Sequence, residues 1–149
     1  MARECTTLID TKFAKTLAED FRIDGVREAT VSGVHTMQTL CHSLSVVGGW
    51  WHDPKTGEPL ARNCGEMLCL IHSEVSEAME GERKGLMDDK LPHREMAEVE
   101  LADAVIRIFD YAEAKGYSVA EAIIEKLKFN STRPDHKPEN RVKAGGKTF

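Results

Sequence analysis

The sequence predicts an all-α fold, a bundle of four to five helices. Three observations carry this. Apolar residues recur at helical spacing along most of the chain, and glycine, proline and capping residues interrupt it at helix-length intervals. No segment alternates apolar and polar residues long enough to read as a strand. At 149 residues, 41% apolar and 30% charged, the chain has the size and composition of one globular domain.

The first helix is expected over about Asp10 to Phe21, where Ile9, Phe13, Leu17 and Phe21 fall four apart. Gly25, Thr30, Ser32 and Gly33 predict a break. A second helix follows from about Val34 to Val47, with Val34, Met37, Cys41 and Leu44 on one face and Gly48-Gly49 as its stop. Pro54, Gly57 and Pro59 mark Trp50 to Arg62 as a loop. Asn63 caps a third helix that reaches Lys84 and ends at Gly85. A linker, Leu86 to His93, leads to a fourth helix from about Glu95 to Lys115, stopped by Gly116. Ser118 and Glu121 form a capping-box pattern for a fifth, Val119 to Thr132, which Pro134 closes. The remaining residues to Phe149 read as an extended tail. The organisation is therefore a helical extension over 1–33, a helical domain over 34–134 and a basic tail over 135–149.

The fourth helix is apolar on two faces. Leu101, Val105, Ile108 and Ala112 form one, and Met96, Val99 and Ile106 another. Such a helix sits centrally or packs against a second subunit, so a bundle completed by oligomerisation is expected, as a homodimer or homotetramer.

Composition narrows the function. No apolar run approaches the ~20 residues of a membrane helix, and Met1 to Cys5 carries no apolar leader pattern, so a cytoplasmic chain with no membrane partner is expected. Cys5, Cys41, Cys64 and Cys69 form no Cys-x-x-Cys pair and read as free thiols. Zinc held by Cys64, Cys69, His42 and His72 is disfavoured, because thiols five residues apart leave a helix on different sides. The net charge of −5 argues against nucleic acid as a partner. That charge is unevenly spread: ten acids against four bases from Glu74 to Asp103, and seven bases against two acids from Lys126 to Phe149.

The acids are placed for chemistry. Glu74 and Glu77 lie three apart on the third helix, and Glu100 and Asp103 three apart on the fourth, so each helix offers a carboxylate pair on one face. Met67, Leu70, Ile71 and Ala78 share the face of Glu74; Met96, Val99 and Ile106 share that of Asp103. An acid on an apolar face costs several kcal/mol if buried unpaired, and a hard cation offsets that cost. Mg²⁺ is the expected cofactor, with Mn²⁺ able to substitute. Glu80, Glu82, Asp88, Asp89 and Glu113 read instead as surface acids. A di-iron site is disfavoured, since no His lies three residues after a Glu. On the fifth helix Lys126, Asn130 and Arg133 continue the apolar stripe of Val119 and Ile123, so a core-facing stripe turns basic at its end, as a phosphate site requires.

The pattern Glu-x-x-Glu, a gap of 22 residues, Glu-x-x-Asp, then Lys-x-x-x-Asn-x-x-Arg-Pro resembles the all-α NTP pyrophosphatase superfamily, the MazG-like proteins. The resemblance covers about Val34 to Pro134. It departs at Ser73, where many members carry a further Glu. It implies a nucleoside triphosphate pyrophosphohydrolase, with Glu74, Glu77, Glu100 and Asp103 holding Mg²⁺. One of these acids helps deprotonate the attacking water; Glu77 is a candidate, but the sequence does not choose. Lys126 and Arg133 would balance phosphate charge, and Asn130 would position the ligand. It also assigns the nucleoside to His42 and Trp51; of the adjacent Trp50 and Trp51, one is expected in the core and one at the site. A purine deoxynucleotide, dGTP, is the expected substrate, with Arg107 either reading guanine or pairing with Glu100, Asp103 or Asp110. The alternatives are a pyrimidine-directed, dUTPase-like member of the same superfamily and a non-catalytic nucleotide-binding or regulatory bundle.

Overall fold

The computed structural model describes residues 9–20 and 24–145. Phe21, Cys5 and the last four residues of the expected tail lie outside the described residues. The chain folds as α1 (Thr11–Asp20), α2 (Asp24–Val47), α3 (Cys64–Lys84), α4 (Met96–Ala114) and α5 (Val119–Thr132). A 3₁₀ turn (Pro134–His136) and a short α6 (Pro138–Arg141) complete it. Among the described residues there is no strand, only the isolated bridges His52–Pro59 and Met87–Glu95. The fold is all-α.

Local chemistry sets the ends of α3. Asn63 Oδ1 accepts from the amides of Gly65 at 2.8 Å and Glu66 at 3.2 Å, and Gly85 closes the helix in the left-handed conformation, φ 64°. Two expectations about the other ends are corrected. The fifth helix lacks its capping box: the Ser118 side chain makes no cap bond, and Glu121 instead meets His35 Nε2 at 2.9 Å. The break over Gly25–Gly33 is absent, since α2 runs unbroken through it and the 33/34 boundary falls inside a helix. Thr30 bonds back to the Val26 carbonyl at 2.8 Å, satisfying its hydroxyl within the helix. The packing of this half of α2 along α5 outweighs the weak propensity of Gly33. The expected extended tail likewise holds the 3₁₀ turn and α6.

α3 and α4 form an antiparallel hairpin. Its turn is tied by Asp88 N to Arg94 O and Met96 N to Leu86 O, both 3.0 Å. A Cβ on the buried Gly81 would lie 3.0 Å from the Ala97 nitrogen and the Met96 Cβ, so glycine allows the two helices to close there. Further along, Glu74 meets Arg107. Between these two crossing points the register sets Glu77 opposite Glu100.

α2 lies against both later helices. His42 and Ser45 bond Asp110, Gln38 bonds Glu113 and the Tyr117 carbonyl, and His35 bonds Glu121. Partner numbers rise as α2 numbers fall. α4 and α5 therefore run consecutively antiparallel to one long helix, with the C-terminal half of α2 on α4 and the N-terminal half on α5.

The core is thin. Among the described residues, five of the seven buried apolar ones are alanines (Ala78, Ala97, Ala104, Ala112, Ala120), with Cys41 and Ile124 the others. Leu101, Val105 and Ile108 on α4 and Met79 and Val75 on α3 remain exposed. Neither expected apolar face of α4 is buried whole: Ala97, Glu100, Ala104 and Ala112 turn inward, while Ile106 of one face and Leu101, Val105 and Ile108 of the other stay exposed.

Gly81→Val should destabilise the fold by about 1–3 kcal/mol, because the side chain must push α4 away. Urea denaturation of the two proteins measures it; an unchanged midpoint would contradict the close contact.

Candidate metal and nucleotide site

The hairpin register gathers three of the four predicted acids, and Asp103 lies outside the group. Oxygen atoms of Glu74, Glu77 and Glu100 lie within 4.8 Å of one another, the one such potential ligand group found among the described residues. Glu74 and Glu100 are buried, at 6% and 9% exposure, while Glu77 is exposed. Burial first, then a hydrogen bond with Glu74 and the charges of Glu77, Glu74 and Asp103, push Glu100 up to about 7. Asp103 is also raised, by burial and by Glu74, with Arg107 pulling against them. A hard cation fits this set: the donors are all carboxylate oxygens, and their mutual repulsion is the feature a cation relieves.

Arg107 has a different partner from the three the sequence offers. Its Nε donates to Glu74 Oε1 at 2.6 Å. Glu74 thus carries a guanidinium partner as well as acidic neighbours. A second difference concerns Asp88, which the sequence assigns to the surface. It is buried at 6% exposure in the α3–α4 turn, where its Oδ1 accepts from the amides of Leu91 at 2.5 Å and Lys90 at 2.9 Å. Its charge reaches Asp103 and helps raise it. An acid in a Pro-containing linker carries no periodicity signal, so the spacing argument passes over it. Glu80 does behave as a surface acid, paired with Arg83 and Lys84 on its own helix and held low by them.

A cavity of about 520 Å³ opens beside the acids, between α2, α3 and α4. Met37, Leu40, Leu44, Met67, Leu70 and Ile106 give it an apolar wall. Asp103 and Arg107 line it toward the acid cluster; Trp50, Ser45 and Asp110 line it elsewhere. The tryptophan at the cavity is therefore Trp50, 64% exposed, with its carbonyl tied to Arg62 at 2.9 Å.

Trp51 and His42, the two residues the sequence nominates for the nucleoside, do not line the cavity. Both donate to Asp110 Oδ1, from Trp51 Nε1 at 2.8 Å and His42 Nδ1 at 2.7 Å, and their rings meet edge to face at 5.2 Å. Asp110 organises this wall and is the residue the sequence reading misses. Its signal was available as a carboxylate seven residues, two helical turns, beyond Asp103 on the same face of α4.

The basic stripe is not brought to the acids within one chain. α5 packs along the N-terminal half of α2, running onward from α4 rather than back along it. At 1.5 Å per residue, Lys126 lies on the order of 25 Å along this path from Asp103. Arg133 grips Asp135 at 2.9 and 2.6 Å, and both Lys126 and Arg133 sit over the Phe129 ring. The Asn130 Oδ1 is buried without a hydrogen-bond partner.

In comparisons with known proteins no family model matches the chain, and neither a curated protein nor a solved structure matches it. The class the structure defines is an all-α bundle with a partly buried carboxylate cluster bordering an apolar cavity.

The raised Glu100 makes stability depend on pH. Its folded value, about 7, lies above its unfolded value of 4.5. The contribution is complete below about 4.5 and is lost as pH rises through about 7. The metal-free protein should therefore melt lower at pH 8 than at pH 5. Glu100→Gln should remove most of that difference, and millimolar Mg²⁺ should restore the wild-type Tm at pH 8. Thermal melts of both proteins with and without Mg²⁺ check this; a variant with the full wild-type slope would contradict it.

Proposed function

We propose that this protein is a Mg²⁺-dependent nucleoside triphosphate pyrophosphohydrolase, converting a deoxynucleoside triphosphate to the monophosphate and pyrophosphate. The observation that carries the proposal is the shared border of the two sites. Asp103 and Arg107 line the apolar cavity while interacting electrostatically with the carboxylate cluster. A ligand with an apolar ring at one end and a metal-bound polyphosphate at the other matches that layout. The Trp50 indole offers the ring a stacking surface.

Glu74, Glu77, Glu100 and Asp103 would hold Mg²⁺, which when bound would supply charge neutralisation for the triphosphate and make water a better nucleophile. The exposed Glu77 is the acid we assign to take the proton from that water. The oxygen of the attacking water would bond to the α-phosphorus as the bond from that phosphorus to the bridging oxygen breaks, and pyrophosphate would leave with the bond electrons. Arg107, held by Glu74, orients its guanidinium at the phosphate end of the cavity.

Phosphate cations would come from a second copy. Lys126, Asn130 and Arg133 sit on a helix that leads away from the chain's own acids, and α3 and α4 leave apolar side chains bare. A homodimer or homotetramer that covers those faces and sets one copy's α5 beside the other's acid cluster accounts for both features.

With Mg²⁺ and a panel of deoxynucleoside triphosphates, chromatography should show monophosphate and pyrophosphate in equal amounts; orthophosphate as the sole primary product would refute the reaction. Glu77→Gln should lower kcat at least ~100-fold. Sharing between copies predicts complementation. Asp103→Asn and the double variant Lys126→Ala, Arg133→Ala should each be inactive, yet equal mixing with exchange should recover about a quarter of the wild-type rate, since half the dimers are mixed and each holds one intact site. No recovery would place the basic residues and the acids of a site on one chain.

A further inference from the structure

The wall around Asp110 has a polarity that goes beyond holding a ring. A carboxylate has about four lone-pair positions. Asp110 Oδ1 accepts two donors, His42 Nδ1 and Trp51 Nε1, and Oδ2 accepts Ser45 Oγ at 3.0 Å. One position on Oδ2 remains. The neighbouring N–H and O–H groups are thus directed at the carboxylate, and the groups left to face the cavity are acceptors, Asp110 and the Ser45 oxygen, both lining it. Met37, Leu40, Cys41 and Leu44 beside them add no strong donor, and the two guanidiniums that also line the cavity are bonded to other groups, Arg107 to Glu74 and Arg62 to the Trp50 carbonyl. The carboxylate is fixed on three sides and 15% exposed, so it cannot turn away from an unfavourable ligand.

Its position suits the far end of a nucleotide. Asp110 and Asp103 lie two turns apart on one face of α4, about 10 Å, the scale of the span from an α-phosphate to the pairing edge of its base. With the phosphates at Asp103 and Arg107, that edge arrives at Asp110 and Ser45.

We propose that Asp110 is the base-selecting residue of this cavity and that it selects a base with an exocyclic amine. This rests on the nucleotide reading above and gives it a substrate class. The amines of adenine, cytosine and guanine present N–H donors to the free position on Oδ2. Uracil and thymine flank their single ring N–H with two carbonyl oxygens, which meet the carboxylate as acceptor against acceptor and leave its last position unfilled. Arg107, bonded to Glu74 at the acid end, is not the reader of guanine. His42 and Trp51 act through Asp110 as positioning residues.

Two measurements on the full-length protein test this. The first is kcat/KM with Mg²⁺ for dATP, dCTP, dGTP, dUTP and dTTP. The best amino-bearing nucleotide should exceed both dUTP and dTTP by at least about tenfold. In Asp110→Asn, which presents an amide N–H in place of one acceptor, that gap should close even if every rate falls; loss of His42 and Trp51 positioning alone would lower the rates and leave the ratio. The second is the rise in Tm of the wild-type protein with dAMP, dCMP, dGMP, dUMP or dTMP, without Mg²⁺, expected to be larger for the amino-bearing set. It needs neither catalysis nor a folded variant. A uracil or thymine nucleotide within tenfold of the best amino-bearing one, equal Tm shifts across the monophosphates, or a gap preserved in a folded Asp110→Asn each overturn the proposal. If no triphosphate is hydrolysed but the monophosphate shifts keep this order and lose it in Asp110→Asn, the pyrophosphohydrolase reading fails and the selection by Asp110 stands.

Discussion

Like-charge crowding in the α3–α4 seam is the constraint on which the rest of this structure depends. Three carboxylates converge within 4.8 Å and a fourth, Asp103, stands beside them, in a region buried enough to push Glu100 to about 7. Carboxylates in such proximity repel, and burial adds a desolvation cost to each charge. The fold holds them there by short-range means: the Gly81 contact with Met96 and Ala97, and the hydrogen-bonded turn that carries Asp88. Arg107 supplies one positive charge, on Glu74, which leaves the cluster net negative and suited to a divalent ion rather than to a second side-chain cation.

The same seam explains the thin core. Helices that approach closely enough to share carboxylates leave room between them for alanine and glycine, not for leucine. Ala78, Gly81, Ala97 and Ala104 are buried, while Val75 and Met79 of α3 and Leu101, Val105 and Ile108 of α4 stand exposed. Burial within the chain is then modest, because an alanine removes little apolar area from water. The outer leucines and valines hold the remaining area, available to a surface that covers them.

Much of this was legible in the sequence, and the division follows from the range of each interaction. Asn63, Gly85 and Gly116 mark their helix ends because caps and left-handed glycines act through neighbouring backbone. Glu74, Glu77, Glu100 and Asp103 were recognisable because helical spacing combines with their apolar neighbours. Contacts that depend on register between distant elements were not legible. Arg107 is i+4 to Asp103, so sequence spacing nominates Asp103, but the hairpin register puts Glu74 closer. Trp50 and Trp51 are adjacent and chemically alike; which faces the cavity depends on the chain path after Gly49, φ 82°. Ser118 and Glu121 fit a capping box by spacing, yet His35 lies across the helix seam and takes the Glu121 carboxylate. The path of α5 was hidden for the same reason, since the turn at Gly116 can fold a helix back on α4 or send it along α2.

The long α2 ties these parts together. Because α4 and α5 pack along it in succession, one helix contacts both the acid-bearing element and the basic one while keeping the two apart. Its own C-terminal half supplies the cavity wall and the donors that fix Asp110. An unbroken α2 is therefore more than a correction to a boundary. Were the helix broken at Gly33, α5 would be free to return against α4, and the basic stripe could neutralise the chain's own acids. A self-neutralised cluster has less need of a cation and less room for a phosphate. Continuity through Gly33 goes with an α5 whose Lys126 and Arg133 stand away from the chain's own acids, which leaves Arg107 as their one side-chain cation partner among the described ion pairs, and that separation of charge is what the proposed chemistry uses.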